Sequence, residues 1–471
     1  MAGESIPHLK ANRNLLVPLS AILLVILTSV LYWPVTAAPY FTYDDPVYIL
    51  DNDAIHGGLT WASVDWAFTT YYHGMWHPLT WLSFMIEIEF FGCRPEVMHT
   101  TNLVLHLVNL LLVLLIGVRL FGATVRAVIP AALFAIHPLG VESVAWVSER
   151  KGLLCASFFL TSILLYLQYV QGRKRIWYML LLGTSACGFM SKTVMVTFPC
   201  VLLLLDVWPL RRLRLSFERH DVHYTPGSVS NAIVEKLPIF LMAVALTIMT
   251  FYAEHSAGAL RTLQQVPVLD RLSSFALSYS HYLIKAICPL DLCVVYPRPT
   301  VFFLGETIAR GTCIAGLVIL AALFRRTRPL LLFGLSWYSL VLFPMSGLAA
   351  VGPHLIADRY GYLALIGIFM AFTSLIPATC LDVTSRNAAL LLTGGTIAIA
   401  CLIGLTNKQV ASWLTPEATW MQALDAVDDN FIAHHNLGVY LQRTGRATEA
   451  AFHFERADLI RDCRRRVHAA Q

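Results

Sequence analysis

The sequence predicts an all-α integral membrane protein with about eleven transmembrane helices. Of its 471 residues, 57% are hydrophobic and only 13% are charged, whereas a soluble domain usually carries about 25% charged residues. The apolar residues are also concentrated in uncharged runs of roughly 17 to 23 residues, the length that a helix needs to cross about 30 Å of hydrocarbon. These two observations outweigh the two or three soluble domains that length alone would suggest.

Eleven apolar runs are read as spans. In chain order they lie at 15–33, 98–118, 124–141, 152–170, 176–190, 193–208, 236–253, 305–324, 329–345, 359–379 and 387–405. No small-residue cleavage site follows the first run, which indicates an uncleaved anchor. A further stretch at 272–290 contains His281, Lys285 and several Ser and Tyr residues. We expect it to form an interfacial or re-entrant helix on the outer side.

The basic residues set the expected orientation. Short loops between the runs carry Arg119, Arg126 and the clusters at 173–175, 211–214 and 325–328, which is the positive-inside pattern. If the N-terminus is cytoplasmic and 272–290 does not cross the membrane, all of these basic residues are cytoplasmic. Eleven spans then put the C-terminus outside. Nucleic-acid binding is the poorer interpretation, because no basic patch is interleaved with aromatic residues in a soluble module.

The predicted outer loops collect nearly all the unusual polar residues. These loops are 34–97, 142–151, 191–192, 254–304 and 346–358. The large first loop, 34–97, contains LTWASVDWAF and LTWLSFMIEIEFFG. Their aromatic content is typical of amphipathic helices that lie in the membrane interface.

The tail, 409–471, differs from the membrane domain, 1–408. Its Leu437-Gly438, Ala450 and Phe454 match the spacing of a tetratricopeptide helix–turn–helix unit at about 431–464. The match is partial, because His434 stands at the Trp position of the pattern. One such unit cannot bury its own hydrophobic face, so we expect it to dock on the membrane domain or on a partner.

The first candidate catalytic group is the acidic pair Asp44-Asp45 in FTYDDPVYILDN. A carboxylate beyond the bilayer edge costs little, so a solvated loop is the alternative. Flanking aromatic residues indicate a partly apolar pocket, and Pro46 fixes the backbone after the pair. Adjacent like charges raise one pKa, which suits a general base.

A second candidate is His77 in WHPLTW. It is either part of a structural turn or a group that carries a proton or contacts a sugar or phosphate. His73 lies four residues earlier, but no motif such as HExxH is present. The sequence therefore predicts no metal site, although a divalent metal is compatible with the chemistry described below.

Further candidates lie in three of the other outer loops. In HPLGVESVAWVSERK, Glu142 lies near hydrocarbon depth and needs a partner, for which we expect Arg150 or Lys151. Lys192 occupies a two-residue turn in MSKTVMVTFP, and HLIADRYGY supplies His354 and Arg359. Ordinary charged loops, snorkelling and a structural ion pair are the alternatives; phosphate binding is the functional interpretation.

Taken together, acids, histidines and cations map to one face of one membrane domain. A negatively charged lipid-linked substrate requires that arrangement, with cations for its phosphate and a carboxylate for the attacking hydroxyl. The sequence thus favours a membrane enzyme that acts on such a substrate.

A series of motifs resembles one family. FTYDDPVYILDN, GMWHPLTW, HPLGVESVAWVSERK, GFMSKTVMVTFP, CPLDLCVVYPRP and IADRYGYLALIG occur in this order, before the tetratricopeptide-like unit. The series resembles bacterial relatives of the transmembrane and tetratricopeptide-repeat O-mannosyltransferases, within the GT-C class of polyprenyl-phosphate-sugar glycosyltransferases. The resemblance covers about residues 40 to 460, and its motifs are specific as a series.

The resemblance implies a fold and a mechanism. It implies a GT-C fold in the bacterial inner membrane, with a periplasmic C-terminus, and an inverting transfer from a polyprenyl phosphate sugar to an acceptor hydroxyl. The acceptor would be Ser or Thr of a surface protein, or a glycan, recruited with help from the tail. The base maps to Asp44-Asp45, with Asp44 favoured, and the phosphate cations map to Arg150, Lys192 and Arg359.

The chain also departs from the family pattern. Gly152 stands where relatives often have an acid after ERK, Gly361 replaces a Thr in ADRYTY, and only one repeat unit is present. These changes bear on donor and acceptor identity more than on reaction class.

Three alternatives remain at the level of sequence. A transporter or flippase for lipid-linked sugars would show paired half-repeats and mid-membrane charges, and neither is evident. A non-catalytic scaffold would make the acidic pair dispensable. A glycan polymerase or ligase that moves whole oligosaccharides would use the same base and phosphate cations. No glycine-rich nucleotide loop is present.

Overall fold

The structure is a computed structural model that describes residues 8–213, 227–349, 354–376 and 386–469. Its first half contains α1 (His8–Tyr32), α2 (Asp53–His56), α3 (Trp61–Thr69), α4 (Pro78–Phe91), α5 (Pro95–Phe121), α6 (Val125–Ile136), α7 (Val141–Ala145), α8 (Arg150–Gly172), α9 (Arg175–Phe189) and α10 (Phe198–Val207).

The second half adds ten helices and two short strands. The helices are α11 (Gly227–Val234), α12 (Leu237–Ser256), α13 (Val268–Lys285), α14 (Leu304–Leu323), α15 (Pro329–Leu342), α16 (Gly361–Leu375), α17 (Arg386–Ser412), α18 (Pro416–Ala426), α19 (Phe431–Arg443) and α20 (Ala447–Ala469). Strands β1 (Tyr296–Pro297) and β2 (His354–Ile356) pair antiparallel.

The apolar runs that the sequence predicts to span the membrane lie largely on helices, apart from 377–379, which lie outside the described residues. Run 124–141 is interrupted at His137, and run 193–208 begins with a 3-10 turn, Thr193–Thr197. Within the described part of the chain, five helices are long and apolar enough to cross a membrane. A sixth candidate is the pair Val125–Ile136 and Pro138–Ala145, which is bent by 58°. The bend arises because a proline disfavours helical backbone in the residue before it. The protein is a multi-pass helical membrane protein; the number eleven stays a prediction.

The first predicted outer loop is a folded layer. It contains α2, α3 and α4, and its residues Tyr48, Ile49, Ile55, Ala67, Trp81, Phe84 and Met85 form a small hydrophobic core together with Met98 and Val147 from outside the loop. Helix α3 begins with a reciprocal capping box between Thr60 and Ser63, which satisfies backbone donors at the helix start. The loop therefore has a fixed shape in which catalytic side chains can be positioned.

Helix α13 covers most of the stretch predicted to be interfacial or re-entrant. Its buried side includes Ser273, Ser274 and Ser278, while Leu272 and Ile284 are exposed. This is the reverse of a soluble amphipathic helix. A polar side turned to the protein and an apolar side turned outward fit a helix at the edge of a lipid phase.

The tail packs on the membrane domain. Helices α19 and α20 approach so closely that a Cβ on Gly438 would lie 2.9 Å from the Phe454 ring. Asn430 caps α19 by accepting from the Ala433 amide, and its Nδ2 donates to the Val295 carbonyl at 2.9 Å. The fully buried Trp420 on α18 donates from Nε1 to Thr42 Oγ1 at 3.2 Å. The tail thus contacts the segment that carries the acidic pair.

Candidate active site

Asp45 joins two of the predicted outer loops. Its buried carboxylate accepts hydrogen bonds from the Phe41 amide at 2.8 Å, from the Ser148 amide at 3.0 Å and from Ser148 Oγ. Burial raises the pKa of Asp45 to about 6, and these hydrogen bonds oppose the increase. With three donors around it, Asp45 holds the first loop against 142–151 and has little capacity left to accept a substrate proton.

Asp44 is differently placed. Among the described residues, no hydrogen bond reaches its carboxylate, and the residue is half-buried. Burial raises the pKa of Asp44, while the positive charges of Lys151 and Arg359 lower it. An uncommitted carboxylate with nearby cations is the group available to act as a base.

Three cations converge on Glu149. Lys192 Nζ lies 2.7 Å from Oε2, while Arg359 Nε and Lys151 Nζ lie 3.3 Å and 3.7 Å from Oε1. Glu149 is buried, and a buried carboxylate is stabilised only when it is paired. The sequence did not lead us to select Glu149. The available signal was the run Glu149-Arg150-Lys151, whose acid was interpreted as part of an ordinary charged loop.

The partner of Glu142 is Arg359. Arg359 Nη1 donates to Glu142 Oε1 at 2.5 Å, and the Arg359 amide donates to Oε2 at 3.1 Å. The expectation that Arg150 or Lys151 would fill this role was wrong. A loop more than two hundred residues away supplies the cation, and sequence proximity gives no indication of that contact.

Glu142, Glu149, Lys151, Lys192 and Arg359 form one ionic cluster. Arg150 lies outside this cluster. Its fully buried guanidinium donates to Glu87 at 2.9 and 3.2 Å, to Asn102 Oδ1 at 2.5 Å and to the Met98 carbonyl at 2.8 Å. Consecutive residues at the start of a helix point about 100° apart, so Arg150 and Lys151 diverge at the start of α8. The structure thus brings Lys151 to the cluster and places Arg150 in the packing between α4, α5 and α8.

His77 forms part of an aromatic wall beside the cluster. Its buried ring stacks on Tyr48 with centroids 5.8 Å apart, and it lies 4.6 Å from Trp81. Lys151 Nζ lies 4.6 Å from the centroid of the Tyr48 ring. Burial lowers the pKa of His77 well below its usual value, so the ring is neutral. Its Nε2 has no hydrogen-bond partner within the described ranges.

His354 supports the segment that carries Arg359. Its Nε2 lies 2.9 Å from the Tyr360 hydroxyl, and burial lowers the pKa of His354 to about 3. The neighbouring Asp358 accepts from the Cys293 amide at 3.0 Å and from the Tyr296 hydroxyl at 3.1 Å. These contacts fix the backbone on both sides of the guanidinium.

Gly152 lies directly against the cluster. A Cβ at this position would be 2.9 Å from Glu149 Oε2 and 3.2 Å from Lys192 Nζ. The acid that often follows ERK in the resembled family would therefore enter the Glu149–Lys192 pair. In this chain Gly152 has no side chain, so the contact between Glu149 and Lys192 is undisturbed.

The arrangement combines an uncommitted carboxylate, three cations and a neutral aromatic wall. Three cations face Glu142 and Glu149, so one positive charge is left over before Asp44 is counted. Such a site can bind a phosphate and accept a proton. Across the described ranges, no group of three or more His, Cys, Asp or Glu side chains could hold a metal ion.

Several curated proteins are similar to this chain in sequence. Mouse TMTC4, a protein O-mannosyl-transferase, is 24% identical over 463 residues, which cover 87% of the chain and 62% of TMTC4. Human TMTC1, with the same description, is 23% identical over 88% of the chain and 52% of its own length. Drosophila melanogaster Tmtc2 is 36% identical over 184 residues, 36% of the chain and 19% of Tmtc2. The chain thus spans less than two thirds of these relatives.

Solved structures show a distant likeness. ArnT from Cupriavidus metallidurans, bound to undecaprenyl phosphate, covers 93% of the chain at 14% identity and a TM-score of 0.43, over 75% of its own length. The apo oligosaccharyltransferase of Archaeoglobus fulgidus covers 84% of the chain at 14% identity and a TM-score of 0.47, over 56% of its own length. No family model matches the chain. The resemblance predicted from the motif series is confirmed by sequence: over most of its length the chain is similar to the TMTC protein O-mannosyl-transferases.

Proposed function

We propose that the chain is a glycosyltransferase that moves a sugar from a polyprenyl phosphate to a hydroxyl of an acceptor protein, with inversion. The observation that carries the proposal is the uncommitted carboxylate of Asp44 in the field of Lys151 and Arg359, which converge with Lys192 on Glu149. The activity for which the relatives are named, protein O-mannosyl transfer, supports mannose as the sugar and Ser or Thr as the acceptor.

Asp44 is the general base. As the acceptor hydroxyl attacks the anomeric carbon, its proton passes to the Asp44 carboxylate. Burial raises the pKa of Asp44, which makes the charged form a stronger base than an exposed aspartate. Asp45 acts one residue away as a positioning group, because its hydrogen bonds to Phe41 and Ser148 fix the backbone that presents Asp44.

The cations hold the phosphate. When the bond between the anomeric carbon and the phosphate oxygen breaks, negative charge grows on the lipid phosphate. Lys151, Lys192 and Arg359 are already oriented by Glu142 and Glu149, and preorganised cations stabilise that charge without reorganising. One displacement at the anomeric carbon inverts its configuration.

The wall of Tyr48, His77 and Trp81 is buried behind Lys151 and supports the site from that side. Its aromatic packing excludes water beside the cation, and the buried Nε2 of His77 has no partner among the described residues. A neutral imidazole suits this role, because it adds no charge beside the three cations.

The experiment compares Asp44→Asn with the wild type in a strain that lacks the gene. Asp65→Asn is the matched control, because Asp65 is an exposed acid in the same predicted loop. We expect a loss of transfer of about 100-fold or more in the Asp44 variant, the magnitude that removal of a general base produces. Asp65→Asn should transfer normally.

Mass spectrometry of outer-surface proteins measures the hexose that each variant restores. Immunoblots and thermal midpoints of the purified variants show that each is made and folded. Wild-type levels of modification with Asp44→Asn would exclude Asp44 as the base.

A further inference from the structure

A second cationic site lies apart from the cluster, between the membrane domain and the tail. It is a cleft of about 470 Å³ lined by segments of the predicted outer loop 254–304 and by α20. Five arginines and one acid line it: Arg261, Arg298, Arg461, Arg464, Arg465 and Asp270. None of these residues belongs to the candidate active site. We call it the arginine cleft.

The positive charge of the arginine cleft is only partly neutralised. Exposed acids pair with two arginines on α20, Asp458 with Arg461 at 3.0 Å and Asp462 with Arg465 at 3.6 Å. Surface pairs of this kind are weak. Arg298 instead donates to Ser274 Oγ at 2.9 Å, and Arg464 donates to the Arg298 carbonyl. The Arg464 guanidinium of the tail therefore contacts the backbone of Arg298 in the membrane domain, and among the described residues no ion pair gives either arginine a carboxylate partner.

Electrostatics at Arg298 agrees with this geometry. Burial lowers the pKa of Arg298, and the positive charges of Arg271 and Arg261 lower it further. Asp270 acts in the opposite direction on Arg298, and Asp429 does so on Arg464. Mutual repulsion among cations is relieved when an anion binds, so the cleft is suited to a phosphate.

A partly apolar groove continues from the arginine cleft. This groove of about 280 Å³ shares Pro299 and Phe302 with the cleft, and its other apolar lining residues are Leu277, Val301 and Phe303. Its polar lining residues are Ser273, Thr307 and the ion pair of Glu306 with Arg310. Helix α14 is a candidate membrane span and begins six residues after Arg298. The arginine cleft thus lies next to the start of a candidate span, where lipid headgroups are expected, with the groove beside it.

We propose that the arginine cleft binds the phosphate headgroup of an anionic membrane lipid, whose chain lies in the groove lined by Leu277 and Phe303. Bidentate guanidinium contacts suit a phosphate, and the shared residues Pro299 and Phe302 join the polar and apolar parts of one amphiphile. Because Arg298 belongs to the membrane domain and Arg464 to α20, the bound lipid would hold the tail on the membrane domain.

The test uses the full-length protein, purified and stripped of lipid. Native mass spectrometry counts bound lipid after addition of phosphatidylglycerol or phosphatidylcholine. We expect phosphatidylglycerol to bind at least 10-fold more tightly than phosphatidylcholine, and Arg298→Gln with Arg464→Gln to remove that preference. The control pair is Arg443→Gln with Arg456→Gln, two exposed arginines of the same tail helices that do not line the cleft.

Further variants and ligands distinguish a lipid headgroup from free phosphate. Leu277→Trp fills the groove and should weaken phosphatidylglycerol binding while leaving competition by inorganic phosphate unchanged. Arg464→Gln alone changes only the half-buried tail side and guards against misfolding of the double variant, which a thermal midpoint also checks. Equal binding of phosphatidylglycerol by wild type and the folded Arg464 variant would overturn the proposal. So would inorganic phosphate, or an acidic peptide, binding as tightly as the lipid.

Discussion

At the scale of residues, two adjacent acids have different surroundings. Asp45 is surrounded by donors from Phe41 and Ser148, so its negative charge serves to join two loops. Asp44 receives no such donors in the described part of the chain and lies within the field of Lys151 and Arg359. Adjacent positions on a turn face different neighbours, which allows a pair of identical residues to divide positioning from proton transfer.

The pH dependence of transfer follows from Asp44. The proposed base must be charged, and burial raises the pKa of Asp44, so we expect activity at higher pH and its loss as the pH falls through that raised pKa. We expect the acid limb of kcat to lie above about pH 4, the usual range of an aspartate. Initial transfer rates between about pH 4 and 8 measure it, with thermal midpoints at each pH as the control for unfolding.

Asp45 titrates in the same range, with a pKa of about 6, and Ser148→Ala separates the two acids. The Ser148 hydrogen bond lowers the pKa of Asp45, so removing the hydroxyl raises it. If the titration of Asp44 sets the acid limb of kcat, the pH of that limb stays unchanged in Ser148→Ala. An acid limb that moves to higher pH in this variant would assign the limb to Asp45.

At the scale of elements, the junction between α17 and α18 supports the acidic segment. Trp413 and Trp420 lie 5.1 and 5.0 Å from the Phe41 ring between centroids, and Tyr43 lies 5.6 Å from Trp420. Phe41 also provides the amide that binds Asp45. The start of the tail is therefore part of the structure that presents the base.

Truncating Trp420 to alanine should loosen that structure. Loss of a fully buried indole usually costs about 3–5 kcal/mol of the free energy of unfolding, and we expect a lower thermal midpoint together with a lower kcat. The midpoint in detergent and the transfer rate measure both effects. Phe452→Ala is the control, because Phe452 is 61% exposed on α20 and should change neither. A Trp420 variant with wild-type stability and rate would show that the junction does not support the site.

The elements were readable in the sequence because hydrophobic length alone predicts membrane helices. The motif series also located the segments of the site. The roles of Glu149, Arg150 and Lys151 were not readable, because they depend on the direction that each consecutive side chain takes near the start of α8. Glu149 pairs with Lys151, Lys192 and Arg359, while Arg150 pairs with Glu87. Such choices depend on contacts between distant segments, which a single sequence does not contain.

At the scale of the whole molecule, α8 connects two polar regions. Near its start lie Lys151 and the candidate active site. Near its end, Tyr166 joins a buried ionic cluster of Asp206, Arg212, Glu235 and Lys236. A helix of 23 residues is about 34 Å long, close to the roughly 30 Å of a bilayer core. Lys151 and Tyr166 are separated by about 22 Å along the helix axis, so the two regions lie towards opposite ends of α8.

This separation leads to a topology prediction. Trp420 donates to Thr42 at 3.2 Å, so the tail lies on the side of the first predicted outer loop, whereas Arg173 follows the other end of α8. A periplasm-active reporter fused after Gln471 should be active, and the same reporter inserted after Arg173 should be silent. A cytoplasm-active reporter should give the opposite result at both positions. Periplasmic activity after Arg173 with silence after Gln471 would invert the orientation and move Asp44 to the cytoplasmic side.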